Sequence, residues 1–104
     1  MDHRDYIIQQ VKKQVLALAP EARIILYGSR ARGDARKDSD WDFLVIVDDK
    51  DYSFELKEKV WEAIYLLKFD LEEDISVFVK SRSHVWKFQL SPYYQHIQME
   101  GIEV

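Results

Sequence analysis

Two aspartates, Asp40 and Asp42, stand two residues apart at the start of the apolar run Trp41 to Val47. Side chains alternate along a strand, so these carboxylates point the same way, about 6–7 Å apart at the backbone. Like charges so placed repel each other unless a cation lies between them. Oxygen ligands of this kind suit Mg²⁺, which completes its shell with water and substrate phosphates. The pair therefore predicts a magnesium site, although Asp-rich turns also occur simply as solvated surface.

A third carboxylate, Asp74, opens another apolar run, "DISVFV". If this run forms a strand beside the run Trp41 to Val47, about 4.8 Å away, Asp74 completes a cluster with Asp40 and Asp42. Such a cluster can hold two ions about 3.5–4 Å apart, which stabilise the entering and leaving oxygens of a phosphoryl transfer. A different strand register would put Glu73, or no acid, in that place.

A turn, Gly28-Ser29, directly follows the apolar run "RIILY" (Arg23 to Tyr27). Glycine lacks a Cβ and lets a ligand approach the backbone. Ser29 offers a hydroxyl, and the amides that begin a following helix point at a nearby anion. Arg30 and Arg32 add positive charge for phosphate oxygens. A phosphate-binding turn just upstream of a metal-binding pair is stronger evidence than either motif alone, because each explains the charge of the other.

The remaining pattern predicts helices alternating with three strands. Apolar residues at helical spacing predict long helices before the first strand and after the second. The class is therefore α/β (α+β), a small mixed β-sheet flanked by helices. The predicted helices are Asp2 to about Ala19, a short helix from near Ser29 or Arg30, Phe54 to about Phe69, about His84 to Leu90, and a last helix from near Ser91-Pro92. The predicted strands are Arg23–Tyr27, Trp41–Val47 and Asp74–Val79.

The aromatic residues divide between predicted core and predicted surface. Trp41 lies between the two aspartates in sequence and is expected to face away from them, under the strand. Trp61 and Trp86 sit in apolar patterns as core or interface anchors. Tyr93 and Tyr94 either pack the last helix or contribute to a partner surface.

Length and charge limit the function classes. The 104 residues suggest a single domain over 1–104, and the net charge of −4 argues against a general nucleic-acid coat. The chain has no cysteine, no apolar signal core and no run of membrane-spanning length, which favours a cytoplasmic protein.

The segment "GSRARGDARKDSDWDFLV" resembles the signature of the nucleotidyltransferase superfamily that includes DNA polymerase beta. Its fuller form, and the tail "SPYYQHIQMEGIEV", look like the minimal nucleotidyltransferases of prokaryotes. The resemblance implies a nucleotidyltransferase fold and magnesium-dependent transfer of a nucleoside monophosphate, usually AMP from ATP, to a hydroxyl. By this resemblance Gly28 and Ser29 match the triphosphate-binding turn. Asp40 and Asp42 match the metal-binding pair, and Asp74 matches the third carboxylate.

The resemblance also implies a partner. Minimal nucleotidyltransferases are commonly encoded beside a HEPN-domain toxin, and larger relatives carry a further acceptor-binding domain. The acceptor is therefore expected on another molecule or subunit, such as a tyrosine of the HEPN toxin, in a homo- or hetero-oligomer. The alternative is a non-catalytic antitoxin that neutralises its partner by binding. A metal-dependent nuclease is a third reading, against which the acidic balance and the Gly-Ser turn argue.

Overall fold

The computed structural model describes residues 2–104 and contains one four-stranded sheet with helices on both faces. The strand order is β3-β2-β1-β4, with β1 antiparallel to β2 and β4, and β2 parallel to β3. The elements along the chain are α1 His3–Leu18, β1 Arg23–Tyr27, α2 Ser29–Arg32, β2 Trp41–Val47, α3 Phe54–Leu71, β3 Ile75–Ser81, α4 Arg82–Lys87, α5 Pro92–Glu100 and β4 Ile102–Glu103.

The sheet separates two apolar layers. Residues of β2 from Trp41 onward alternate between them, so Phe43 and Val45 face α1 and α3, while Leu44 and Ile46 face α5. The layer under α1 and α3 is the larger, and Trp41 is buried in it, as predicted. Asp42 shares a face with Leu44 and therefore lies on the α5 side of the sheet.

Helix starts follow the expected capping chemistry. The Ser53 hydroxyl accepts a hydrogen bond from the Leu56 amide at the start of α3. Ser91 caps α5 in the same way through the Tyr94 amide, with Pro92 in the first turn, as the sequence predicts. These caps fix where the chain enters each helix.

The boundaries of β3 and α4 differ from the sequence-based expectation. The third strand begins at Ile75 rather than Asp74 and continues to Ser81, and α4 begins at Arg82 rather than about His84. Ser81 explains the earlier start of α4, because its hydroxyl accepts a hydrogen bond from the His84 amide and caps the helix.

The strand β4 was not anticipated from the sequence. It pairs with β1 through Ile25 and Leu26, and it is only two residues long, too short to give an alternating pattern. Gly101 makes the approach possible, since a Cβ there would lie 2.8 Å from Cγ2 of Ile25. None of the helices within residues 2–104 is long and apolar enough to cross a membrane.

Candidate functional site

The predicted phosphate turn and the predicted metal pair meet at one point. Tyr27 is the cross-strand partner of Asp42 in the β1–β2 ladder, so the turn after Tyr27 lies beside Asp42. A Cβ on Gly28 would stand 2.8 Å from Oδ2 of Asp42, and Gly28 has φ +77°. Glycine is favoured here for two reasons: the backbone has a positive φ, and the Asp42 carboxylate occupies the space that a Cβ would need.

Asp40 and Asp42 form the acidic centre of this site. Asp40 is exposed and Asp42 is partly buried, one strand pleat apart. Burial, and then the nearby charge of Asp40, raise the pKa of Asp42 above its ordinary value. No ion pair within residues 2–104 involves either carboxylate.

This environment fits a hard divalent cation. Two carboxylates on one face, one of them partly desolvated and without a cationic side chain, offer oxygen ligands with uncompensated charge. A bound cation would favour the ionised form of Asp42 and so lower the pKa that burial and Asp40 raise. The donor set therefore suits Mg²⁺ rather than a metal that needs imidazole or thiolate ligands.

Asp74 lies at the edge of this centre. The backbone amide of Trp41 donates to the carbonyl of Asp74 at 2.8 Å, and Ile75 is the first ladder partner of Trp41. Extending the register by one residue sets Asp74 opposite Asp40, while Ser76 is the partner of Asp42. In this conformation Asp40, Asp42 and Asp74 do not form a group with ligand atoms within 4.8 Å of one another, as judged over residues 2–104.

Glu73, the alternative third acid, is committed to the opposite side of the sheet. Its carboxylate accepts a hydrogen bond from Nε1 of the buried Trp41 at 3.1 Å and also contacts His3. Because Trp41 faces the α1–α3 layer, Glu73 is directed away from Asp42. Of the two candidate third acids, Asp74 is therefore the one not held on the Trp41 side of the sheet.

The turn after Gly28 leaves backbone donors free at its beginning. The amides of Ala31 and Arg32 both donate to the carbonyl of Gly28 at 3.0 Å. The earlier amides, those of Ser29 and Arg30, have no acceptor inside this short helix. With the Ser29 hydroxyl, they give a small set of donors beside Asp42.

Arg30 holds the loop that carries Asp40. Its guanidinium donates to the carbonyl of Ser39 at 3.0 and 3.3 Å and to that of Lys37 at 3.2 Å. It also lies over the Trp41 ring, 4.3 Å from the centroid. In this conformation Arg30 positions the loop, a structural role that the sequence did not predict for it.

Arg32, the other predicted phosphate contact, pairs with two acids. Its guanidinium lies 3.0 Å from Glu100 and 3.2 Å from Asp34. The Asp34 pair is solvent-exposed, where such interactions are weak and exchangeable, whereas the Glu100 side chain is only 21% exposed. Arg32 can therefore exchange Asp34 for a phosphate at little cost, whereas leaving Glu100 would strip a largely buried carboxylate of its partner.

Two tyrosines beside Asp42 were not singled out as site residues. The hydroxyls of Tyr27 and Tyr93 lie 3.1 Å apart. Burial first, and the charge of Asp42 among the further causes, raises the pKa of both phenols, which keeps them protonated. The signal for Tyr27 was its place directly before Gly28; Tyr93 is brought in by α5, whose docking is a tertiary contact.

A second acidic group lies elsewhere. Glu21, Asp48 and Asp51 have carboxylate oxygens within 4.8 Å of one another. Asp48 follows the carboxyl end of β2, whereas Asp40 precedes its amino end, so the two groups occupy opposite ends of the strand. Asp48 already pairs with Arg82, and the other two acids are exposed. This group is separate from the predicted metal pair.

Comparison with solved structures finds the same fold in toxin–antitoxin proteins. A toxin–antitoxin crystallised with AMP-PNP matches with a TM-score of 0.60 and 20% identity, over 98% of this chain and 72% of the other. A MntA-HpeT toxin–antitoxin variant, with two aspartates two positions apart changed to glutamate, matches with a TM-score of 0.59 and 17% identity, over the same shares, 98% and 72%. Among curated protein sequences there is no significant match.

The sequence profile of the nucleotidyltransferase domain matches residues 8–97, a span that includes the Gly-Ser turn, the aspartate pair and β3. The expected fold, a small mixed sheet flanked by helices, is confirmed by the strand order and by these structural neighbours. The chain therefore belongs to the nucleotidyltransferase domain family.

Proposed function

We propose that this protein is a magnesium-dependent nucleotidyltransferase that moves AMP from ATP to a hydroxyl, the acceptor being a tyrosine of a partner HEPN-domain toxin. In this role it acts as the antitoxin. The observation that carries the proposal is the close approach of Gly28 to Oδ2 of Asp42, which supports a proposed phosphate-binding turn beside a proposed metal-binding carboxylate.

The proposed roles follow from position. The Ser29 hydroxyl and the free amides of the turn bind the β- and γ-phosphates, with Arg32 as a further contact. Asp40 and Asp42 hold Mg²⁺, with Asp74 as the third carboxylate from the adjoining strand end. The bound ion would neutralise phosphate charge and orient the phosphate oxygens.

The reaction is an in-line displacement. The acceptor oxygen forms a bond to the α-phosphorus, the bond from that phosphorus to the bridging oxygen breaks, and pyrophosphate leaves. The acceptor proton passes to Asp74 or to water. Positioning by the turn and the carboxylates supplies most of the rate enhancement in transfers of this kind.

Intact-mass analysis tests the proposal directly. A purified HEPN-domain partner, mixed with this chain, ATP and Mg²⁺, should gain one or more AMP units. Asp42→Asn should abolish the gain, while Asp38→Asn, an exposed acid of the same loop, should preserve it. An unmodified partner after incubation with the unaltered chain would contradict the proposal.

A second candidate function is neutralisation by binding alone. The observation that favours it is an aromatic row on the outer side of α3, formed by Trp61, Tyr65 and Phe69 at four-residue spacing, with Phe69 68% exposed. Exposed aromatic rows of this kind are typical of protein interfaces. If Asp42→Asn still fully neutralises the partner, binding alone is sufficient.

A further inference from the structure

We infer that an aromatic pocket beside Asp42 binds the purine base of the nucleotide; the inference rests on the proposed function and extends it. The pocket has a volume of about 340 Å³. It lies between β3 and the two last helices, and its lining residues are Phe78, Lys80, His84, Phe88, Ser91, Tyr93 and Tyr94.

The pocket lies on the same face of the sheet as the aspartates. Ser76 is the ladder partner of Asp42, and Phe78 follows Ser76 by two residues on the same face. That step is about 7 Å along the strand, within the reach of one nucleoside from its α-phosphate. On the other side, Tyr93 contacts Tyr27, the antiparallel partner of Asp42. The pocket and the proposed phosphate site are thus neighbours on this face of the sheet, with Tyr93 between them.

The lining has the geometry that stacking requires. Phe78 and Tyr93 meet edge to face, with centroids 6.3 Å apart, and Phe78 and Phe88 are 45% and 43% exposed. Half-exposed aromatic rings around a concavity offer faces on which a base can stack, and every base has a π-face. Soluble proteins rarely expose several large apolar rings around one concavity, and such pockets are typical of ligand-binding sites.

Polar groups at the pocket restrict the orientation of the base. Nδ1 of His84 lies 3.1 Å from the Tyr94 hydroxyl, which fixes the imidazole against Phe88. Lys80 supplies only donors, so the base edge that faces it must present acceptors. The ring nitrogens of a purine meet this condition and provide the larger stacking surface.

The test compares Mg²⁺-ATP with Mg²⁺-tripolyphosphate, which carries the phosphates without a base, by calorimetric titration. The unaltered chain should bind ATP more tightly than tripolyphosphate. Phe78→Ala should lower the ATP affinity about tenfold and leave the tripolyphosphate affinity unchanged. Phe88→Ala should act in the same direction. Phe54 is an exposed phenylalanine at the amino-terminal end of α3, and Phe54→Ala should change neither affinity.

The outcomes separate the two proposals. Equal affinities of the unaltered chain for ATP and tripolyphosphate would overturn the base pocket and leave the phosphate site standing. If both alanine variants bind ATP as tightly as the unaltered chain, the base pocket is likewise overturned and the phosphate site stands. Failure of the unaltered chain to bind either ligand would overturn the proposed function, and the base pocket with it.

Discussion

At the scale of single residues, the site depends on one glycine and one carboxylate. Both were predicted from the sequence, because a glycine directly after a strand and aspartates at alternating positions are recognisable within a few residues. Their contact was not predictable, since it arises from the β1–β2 register, which pairs Tyr27 with Asp42. The structural role of Arg30 was not predictable either, because the carbonyls that it binds belong to a loop that folds back on it.

Gly28→Ala should destabilise the protein and impair nucleotide binding. Alanine at φ +77° costs about 1–3 kcal/mol, and its Cβ would press on Asp42. Gly33→Ala is the matched control, with φ +86° but nothing within 4 Å of the new Cβ. Thermal unfolding should show losses for both variants, whereas titration with Mg²⁺-ATP should show a loss for Gly28→Ala alone. Equal ATP affinities of the two variants would contradict the contact.

Asp42→Asn should stabilise the metal-free protein at neutral pH while abolishing transfer. Burial raises the folded-state pKa of Asp42, so the folded state binds a proton more tightly than the unfolded state. The free energy of unfolding therefore falls as the pH rises from the unfolded pKa through the folded pKa, and asparagine removes this loss.

Melting temperatures across acidic to neutral pH, without metal, measure this effect. Mg²⁺ should then raise the melting temperature of the unaltered chain and leave that of Asp42→Asn unchanged. A lower melting temperature for the variant in the absence of metal would refute the electrostatic argument.

At the scale of elements, the position of β3 decides which acids can reach the site. The sequence predicted the strand from "ISVFV" but began it one residue early, because an acid at a strand end fits either assignment. That β3 lies beside β2 was anticipated as a possibility, because an apolar helix between them could return the chain. The exact register was not, and it places Ser76, rather than an acid, beside Asp42.

Asp74→Asn should lower the rate of AMP transfer about a hundredfold with a smaller effect on ATP affinity, if Asp74 accepts the acceptor proton. Ser76→Ala, at the ladder partner of Asp42, should have little effect on either quantity. Single-turnover rates and titrations measure the two quantities separately. An Asp74→Asn variant with an unchanged rate would assign the site to Asp40 and Asp42 alone.

At the scale of the whole molecule, the two faces of the protein carry different surfaces. The α5 side holds the proposed nucleotide site, and the α3 side exposes the aromatic row on the far side of the sheet. The alternation of helices with strands predicted an α/β (α+β) fold, and the mixed sheet flanked by helices confirms it. The exposure of Trp61 could not be read from its apolar pattern, because a helix shows its periodicity without showing how wide a face its neighbours cover.

Trp61→Glu combined with Phe69→Glu should weaken partner binding by at least about tenfold and leave Mg²⁺-ATP affinity unchanged, because both rings are exposed and lie on the other side of the sheet. Calorimetry with the proposed HEPN-domain partner and with ATP measures both effects. Full retention of partner affinity would exclude this row as the interface.

The most direct test of the central claim is a Mn²⁺ anomalous-difference map from crystals grown with a nonhydrolysable ATP analogue. We expect a peak bound by the carboxylates of Asp40 and Asp42, with the β- and γ-phosphates against Ser29. A peak at Glu21, Asp48 and Asp51 instead, or phosphates distant from the Gly28 turn, would contradict it.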